Sequence, residues 1–183
     1  MSEEIFGAVQ KLPVNGTKKQ VVLQCAPLLT GIKLSNLLNV RADQKEEVFR
    51  IFEGSPVCCR VLYEFQGRLS ILLYRPGMLA AYLEREDVKK MMTSFGYENP
   101  DLEETLNRIA DAYQDHMNGK RGFPHEIGLV LGYPPVDVEG FIEKEGRDFL
   151  YSGYWKVYGN LMETKALFEE YKHLKLTIRR EIM

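Results

Sequence analysis

Cysteine is scarce in this sequence and poorly spaced for cross-linking. There are three among 183 residues, two of them the neighbours Cys58 and Cys59, and no C-x-x-C occurs. Neither a disulfide framework nor a cysteine-based zinc site is expected. Long apolar runs are also missing, since none approaches the roughly eighteen residues that a membrane-spanning helix requires. An excess of one charge is absent as well. Lysine plus arginine number 24 against 26 acidic residues, a formal net charge of −2, which argues against a nucleic-acid partner. The N-terminal stretch MSEEIFGAVQK starts acidic and lacks a long apolar region, so a secretion signal is not expected. Together these absences lead to the expectation of a cytoplasmic protein with neither membrane nor nucleic acid as partner.

Motifs that carry chemistry are equally sparse. No dinucleotide fingerprint, phosphate loop or nucleophile elbow occurs. His125-Glu126 could open a zinc-protease motif, but the second histidine that chemistry needs is replaced by Leu129. A three-histidine site would consume His116, His125 and His173 together, all the histidines there are, so no metal is expected. The cofactor, if there is one, and the oligomeric state are left open.

What is present reads as one ordinary globular domain over residues 1–183, with 45% hydrophobic and 27% charged residues and residues 1–18 as a loose lead-in. QVVLQ at 20–24 reads as a short strand. CAPLLTGIKLSNLLNV then reads as a helix, with Pro27 in its first turn and Leu28, Leu29, Ile32 and Leu38 at helical spacing. A helix follows over DQKEEVFRIFEG, capped by Asp43 and stopped by Gly54. VCCRVLYEFQGRLSILLYR reads as a hairpin turning at Gln66-Gly67, with Phe65 opposite Arg68, Leu62 opposite Ile71 and Val61 opposite Leu72. Helices are expected over Pro76–Glu84, on to Phe95, and from Asn99 or Asp101 to Gly119. FLYSGYWKVYG reads as a strand with Tyr151, Trp155 and Val157 on one face and Tyr154, Lys156 and Tyr158 on the other. A last helix carries Leu167, Tyr171, Leu174 and Ile178. The sum is α+β: a small, mainly antiparallel sheet of three to four strands packed by about seven helices.

Candidate sites come from a few segments. Within RGFPHEIGLVLGYPPVDVEGF, Pro124 can start a short helix that Gly132 stops, and Pro135 can start another. His125 and Glu126 then lie in a first turn, where the dipole favours the carboxylate and the neutral imidazole. Neutral His125 could donate to a ligand or act as a base; the plainer alternative is that the pair only stabilises a helix start. Cys25, just ahead of an expected helix, is a candidate nucleophile with His125 as its base, or else a small buried hydrophobe. Lys33 and Lys156 are candidate anion contacts. Tyr154 and Tyr158, flanking Lys156, could stack on a planar ligand or anchor a partner.

At FPHEIGLVLGYPPVDVEGF followed by GYWKVYG, the sequence resembles the bacterial family catalogued as domain of unknown function 3793. Its P-H-E motif corresponds to Pro124-His125-Glu126 and its L-G-Y-P motif to Leu131-Gly132-Tyr133-Pro134, with further matches at CAPLLTGIK (25–33), LLYRP (72–76) and WKVY (155–158). The resemblance implies a stand-alone cytosolic bacterial protein and brings no activity, cofactor or catalytic residue with it.

Three functional expectations follow. The first is a small-molecule or cofactor-binding protein whose pocket joins the 25–36 segment, the P-H-E turn and the W-K-V-Y strand, with Lys33, Asn36, Arg75, Tyr133, Tyr154, Trp155, Lys156 and Tyr158 as ligand contacts. The second is an enzyme using His125 and Glu126 for proton transfer, with Cys25 as nucleophile. The third is an interaction module docking through the aromatic strand and the GYPP turn.

Overall fold

Burial along the first described residues follows a helical period. Thr17, Lys18, Val21, Val22, Cys25, Ala26 and Leu29 are covered while Lys19 and Gln24 face outward, and residues 17–29 belong to one helix, α1 (Gly16–Leu29). The computed structural model describes residues 16–181, so most of the expected lead-in lies outside it. The strand expected at 20–24 is helical instead: Val21 and Val22 are β-branched, but their burial on one face with Cys25 decides the matter. Pro27 sits in the last turn of α1 rather than the first. The stop comes from Gly31, which takes φ +78° while its N–H donates to Leu28 O and the Ile32 N–H donates to Pro27 O. That is a glycine-terminated helix end, and it frees the rest of the expected helix to extend. Residues 35–41 form the strand β1 (Ser35–Arg41), in which Leu38 and Val40 are buried and Asn39 and Arg41 are exposed.

A 3₁₀ turn at Ala42–Gln44 leads into α2 (Lys45–Phe52). Asp43 does not cap this helix. Its carboxylate accepts from Arg41 Nε and Nη2 at 3.0 and 2.8 Å. The hairpin of β2 (Cys58–Phe65) and β3 (Arg68–Tyr74) turns at Gln66-Gly67 and pairs Phe65 with Arg68, as expected. A bulge between Val61 and Tyr63 then shifts the register, so that Val61 faces Ile71 and Arg60 faces Leu72. β3 lies between β1 and β2 in an antiparallel three-stranded sheet, and every residue from Leu69 to Tyr74 is buried.

Further along lie α3 (Pro76–Leu83), α4 (Glu86–Ser94) and α5 (Leu102–Met117). Asp101 caps α5 by accepting from the Glu104 N–H at 2.7 Å. Then come α6 (Ile127–Val130) and α7 (Pro135–Glu143). A two-stranded ladder of β4 (Tyr151–Ser152) and β5 (Lys156–Val157) follows, and α8 (Leu161–Glu181) ends the series. The fold is α+β, with eight α-helices among the described residues. None of these helices is long and apolar enough to cross a membrane.

The chain divides into two compact units, residues 16–76 with 171–181, and residues 77–170. In the first, Val22, Leu28, Leu38, Val48, Ile71, Leu73 and Ile178 belong to one buried cluster drawn from α1, the sheet, α2 and the end of α8. In the second, α7 packs on α4, α6 and β5. Leu79, Val88, Leu106, Ile109, Leu129, Val138, Trp155 and Val157 are among its buried residues.

Candidate functional site

The residues around the P-H-E turn build a cavity in the second unit. The turn opens with Ile127 N–H donating to Pro124 O and Gly128 N–H to His125 O, and α6 is a single turn. Gly132, at φ +79°, closes it, with its N–H on Leu129 O and the Tyr133 N–H on Gly128 O. Pro135 then starts α7. The two short helices and their proline and glycine punctuation follow the sequence reading, but α6 is shorter than expected and His125 precedes it. A single turn has little dipole, so burial takes over. Packing between Phe123 and Phe141, whose ring centres lie 5.4 and 5.7 Å from the imidazole, holds the His125 pKa below its ordinary value, and the Glu126 charge only partly opposes this.

His125 and Glu126 are adjacent in sequence yet line different cavities. His125 borders an apolar one of about 330 Å³, together with Phe123, Leu131, Tyr133, Val138, Phe141, Trp155 and Lys156. Glu126, itself buried, borders a more polar one of about 250 Å³ with Tyr97, Arg108 and Arg121. There its Oε1 lies 3.5 Å from both Tyr97 Oη and Arg121 Nη2. Neither of these two cavities brings both side chains to one substrate atom.

The W-K-V-Y segment departs from a single strand. β4 and β5 are two residues each, and the chain turns back between them, with Gly153 N–H donating to Trp155 O. This turn breaks the expected alternation and lets neighbours Trp155 and Lys156 border the same cavity. The indole stacks on Tyr133 at 4.8 Å and meets Phe168 edge-on at 4.5 Å. Lys156 Nζ donates to Gly146 O at 2.6 Å and lies 5.0 and 5.7 Å from the ring centres of Phe149 and Phe141. Those phenylalanines, rather than Tyr154 and Tyr158, flank the cation. Tyr154 instead packs on Phe168. Tyr158 presses on α7 at Gly140, and its buried Oη has no hydrogen-bond partner among the described residues.

Asp137, a residue the sequence reading did not single out, locks this arrangement. It is 2% exposed, and its carboxylate accepts from Trp155 Nε1 at 2.7 Å, Tyr158 N–H at 2.7 Å and Gly159 N–H at 3.0 Å. An aspartate near the start of a proline-led helix is ordinary in sequence. Its real partners lie on a segment eighteen to twenty-two residues later.

The remaining predicted residues lie in the first unit. Arg75 is used structurally, with Nε and Nη2 each 2.9 Å from the terminal α1 carbonyls of Leu28 and Leu29. Cys25 lies near the C-terminal end of α1, not ahead of a helix start. Burial pushes its thiol up to about 12, the opposite of an activated thiolate. Its Sγ accepts from Asn36 Nδ2 at 3.4 Å, and Asn36 Oδ1 accepts from Lys33 Nζ at 3.1 Å. Thus His125, Tyr133, Trp155 and Lys156 share one cavity, while Cys25, Lys33 and Asn36 form a separate cluster.

Comparison with known proteins finds no matching curated protein and no matching solved structure. A family model does match, over residues 21–183, and it spans the P-H-E turn, the cavity and the Lys33 cluster alike. The chain belongs to the family described as Protein of unknown function (DUF3793).

Proposed function

We propose that this protein binds a small, flat, largely apolar molecule bearing one anionic or hydrogen-bond-accepting group, in the cavity beside His125. The observation that carries this reading is the make-up of that cavity. Its walls are Phe123, Leu131, Tyr133, Val138, Phe141 and Trp155, and its polar groups include Lys156 and the neutral imidazole of His125. About 330 Å³ lies within the range of pockets that accept small ligands, and apolar walls with a few convergent polar groups are the usual composition of such sites. The aromatic walls supply affinity through burial and ring contacts. Lys156 has N–H groups beyond the one held by Gly146 O, and neutral His125 offers one donor and one acceptor.

The test uses a reporter built into the site. Trp155 is the only tryptophan of the chain and borders the cavity, so intrinsic tryptophan fluorescence reads this place alone. With trans-cinnamate and cinnamyl alcohol as probes, cinnamate is expected to change the emission saturably and to bind about tenfold more tightly than the alcohol. One charge-assisted hydrogen bond is worth about 1.5–3 kcal/mol before losses. Lys156→Met should erase that preference, weakening cinnamate more than the alcohol. No saturable change with either probe, or a preference that persists in Lys156→Met, would contradict the reading.

A further inference from the structure

The polar cavity beside Glu126 carries chemistry of its own, apart from the apolar one. Arg108, Asp111, Ala112 and Asp115 recur at i, i+3, i+4 and i+7 on α5, so a single helical face borders it. Buried Ala112 leaves room between the charged side chains. Arg121 and Glu126 border the same space from the segment that leads into α6. Glu126 is 4% exposed, yet its carboxylate is loosely held. Oε1 lies 3.5 Å from both Tyr97 Oη and Arg121 Nη2, whereas a closed charge-assisted hydrogen bond runs to about 2.7–2.9 Å. Oε2 has no partner among the described residues. The same holds for the Asp111 carboxylate, while Asp115 lies 3.5 Å from Lys120 Nζ. On the cationic side Arg108 is committed, with Nη2 donating to Gly96 O at 3.0 Å and its guanidinium 4.0 Å from the Tyr97 ring centre. Arg121 is half exposed and meets Glu126 through Nη2 alone. A buried carboxylate is ordinarily paired closely, with its remaining lone pairs hydrogen-bonded. Glu126 is neither.

We propose that this cavity binds a free α-amino acid with a short polar side chain, its ammonium on Glu126 and Asp111 and its carboxylate on Arg121. The mixture of signs decides the ligand class. A simple anion would face Asp111, Asp115 and Glu126, and a simple cation would face Arg108 and Arg121. A zwitterion carries both signs on neighbouring atoms. It therefore matches a guanidinium and a carboxylate that lie 3.5 Å apart without closing on each other. Among the described residues no three His, Cys, Asp or Glu side chains are placed to hold a metal ion, so the carboxylates are not grouped as a metal set. At about 250 Å³ the cavity is smaller than pockets for drug-sized ligands, which limits the occupant to a few heavy atoms. Apart from Phe95 and Ala112 its lining is charged or hydroxylated, so a polar side chain fits better than an aliphatic one.

An NMR titration of the full-length protein tests the assignment, following the amide signals of Arg108, Asp111 and Glu126. The probes are L-serine, ethanolamine and 3-hydroxypropanoate; the second lacks the carboxylate of serine and the third its ammonium. Serine is expected to shift these signals saturably, with a Kd on the order of 1 mM or tighter. Each analogue should bind about tenfold more weakly, having lost one charge-assisted contact. Asp111 and Arg121 are both exposed, so substitutions there keep the fold. Asp111→Asn should weaken serine several-fold and leave 3-hydroxypropanoate no weaker than in the wild type. Arg121→Gln should weaken serine and 3-hydroxypropanoate but not ethanolamine. The absence of a saturable shift with serine, or an analogue that binds as tightly as serine, would overturn the proposal. So would a serine affinity unchanged in either variant.

Discussion

Asp137→Ala is expected to destabilise the protein by about 4 kcal/mol and to abolish the cavity beside His125. The substitution leaves three donors, the buried Trp155 Nε1 and the part-buried N–H groups of Tyr158 and Gly159, without their acceptor. Each orphaned donor costs about 1–3 kcal/mol, and relaxation of the segment recovers part of the sum. Asp137→Asn should be less severe but still clearly destabilising. An amide oxygen can accept the two backbone N–H groups, while an amide N–H would then face the indole N–H. For a chain of this size the alanine variant should melt roughly 10 °C lower. Its tryptophan emission should also shift to the red in the folded state, because Trp155 loses the bond that holds it in the wall. A melting temperature unchanged within 2 °C would mean that Asp137 does not hold this segment.

The second large effect is expected at Gly140. A Cβ there would lie 2.5 Å from both Cβ and Cγ of Tyr158, atoms close to the backbone that cannot swing aside. Gly140→Ala must therefore push α7 away from the segment that Asp137 grips. Overpacking of this kind costs about 1–3 kcal/mol, offset by less than 1 kcal/mol from the better helix propensity of alanine. The net expectation is a loss of about 2 kcal/mol in thermal or denaturant unfolding. The diagnostic is the double variant. Tyr158→Gly removes both obstructing atoms, whereas Tyr158→Ala would keep the Cβ, so Gly140→Ala should be neutral or mildly stabilising in the Tyr158→Gly background. Equal losses in both backgrounds would place the cost elsewhere than in this contact.

These two residues show where the sequence was legible and where it was not. Local signals read well: the Gln66-Gly67 turn, the Asp101 cap and the Gly132 stop depend on residues within a few positions of one another. Residues 20–41 misled because Pro27 suits a first turn in isolation, whereas Gly31 ends the helix just after it. The bulge near Leu62 has no local marker, and without it the hairpin register is the simple one. For the site, His125, Tyr133, Trp155 and Lys156 stood out by type and position. Phe123, Phe141 and Asp137 did not, since their roles arise only when the chain turns back between β4 and β5 and lies against α7. Glu126 was paired with His125 as a candidate, but adjacency in sequence said nothing of which cavity it would border.

The polar and apolar sides of the P-H-E turn give the motif a physical account. Pro124 and Gly132 bracket a single helical turn, and that turn sends consecutive side chains to different cavities. His125 is held neutral by aromatic packing, while buried Glu126 meets Arg121 and Tyr97. A carboxylate in that position needs its arginine, since an uncompensated buried charge is costly.

The cavity bordered by His125, Trp155 and Lys156 is proposed to hold a small molecule. Native mass spectrometry of the full-length protein, purified from its own host without denaturation, tests it most directly when compared with a Leu131→Trp variant that fills the cavity. The expected result is a retained small molecule on the wild-type chain, lost on gentle unfolding together with a change in Trp155 emission and absent from the filled variant. A wild-type chain that carries no added mass, or a ligand retained equally by Leu131→Trp, would contradict it.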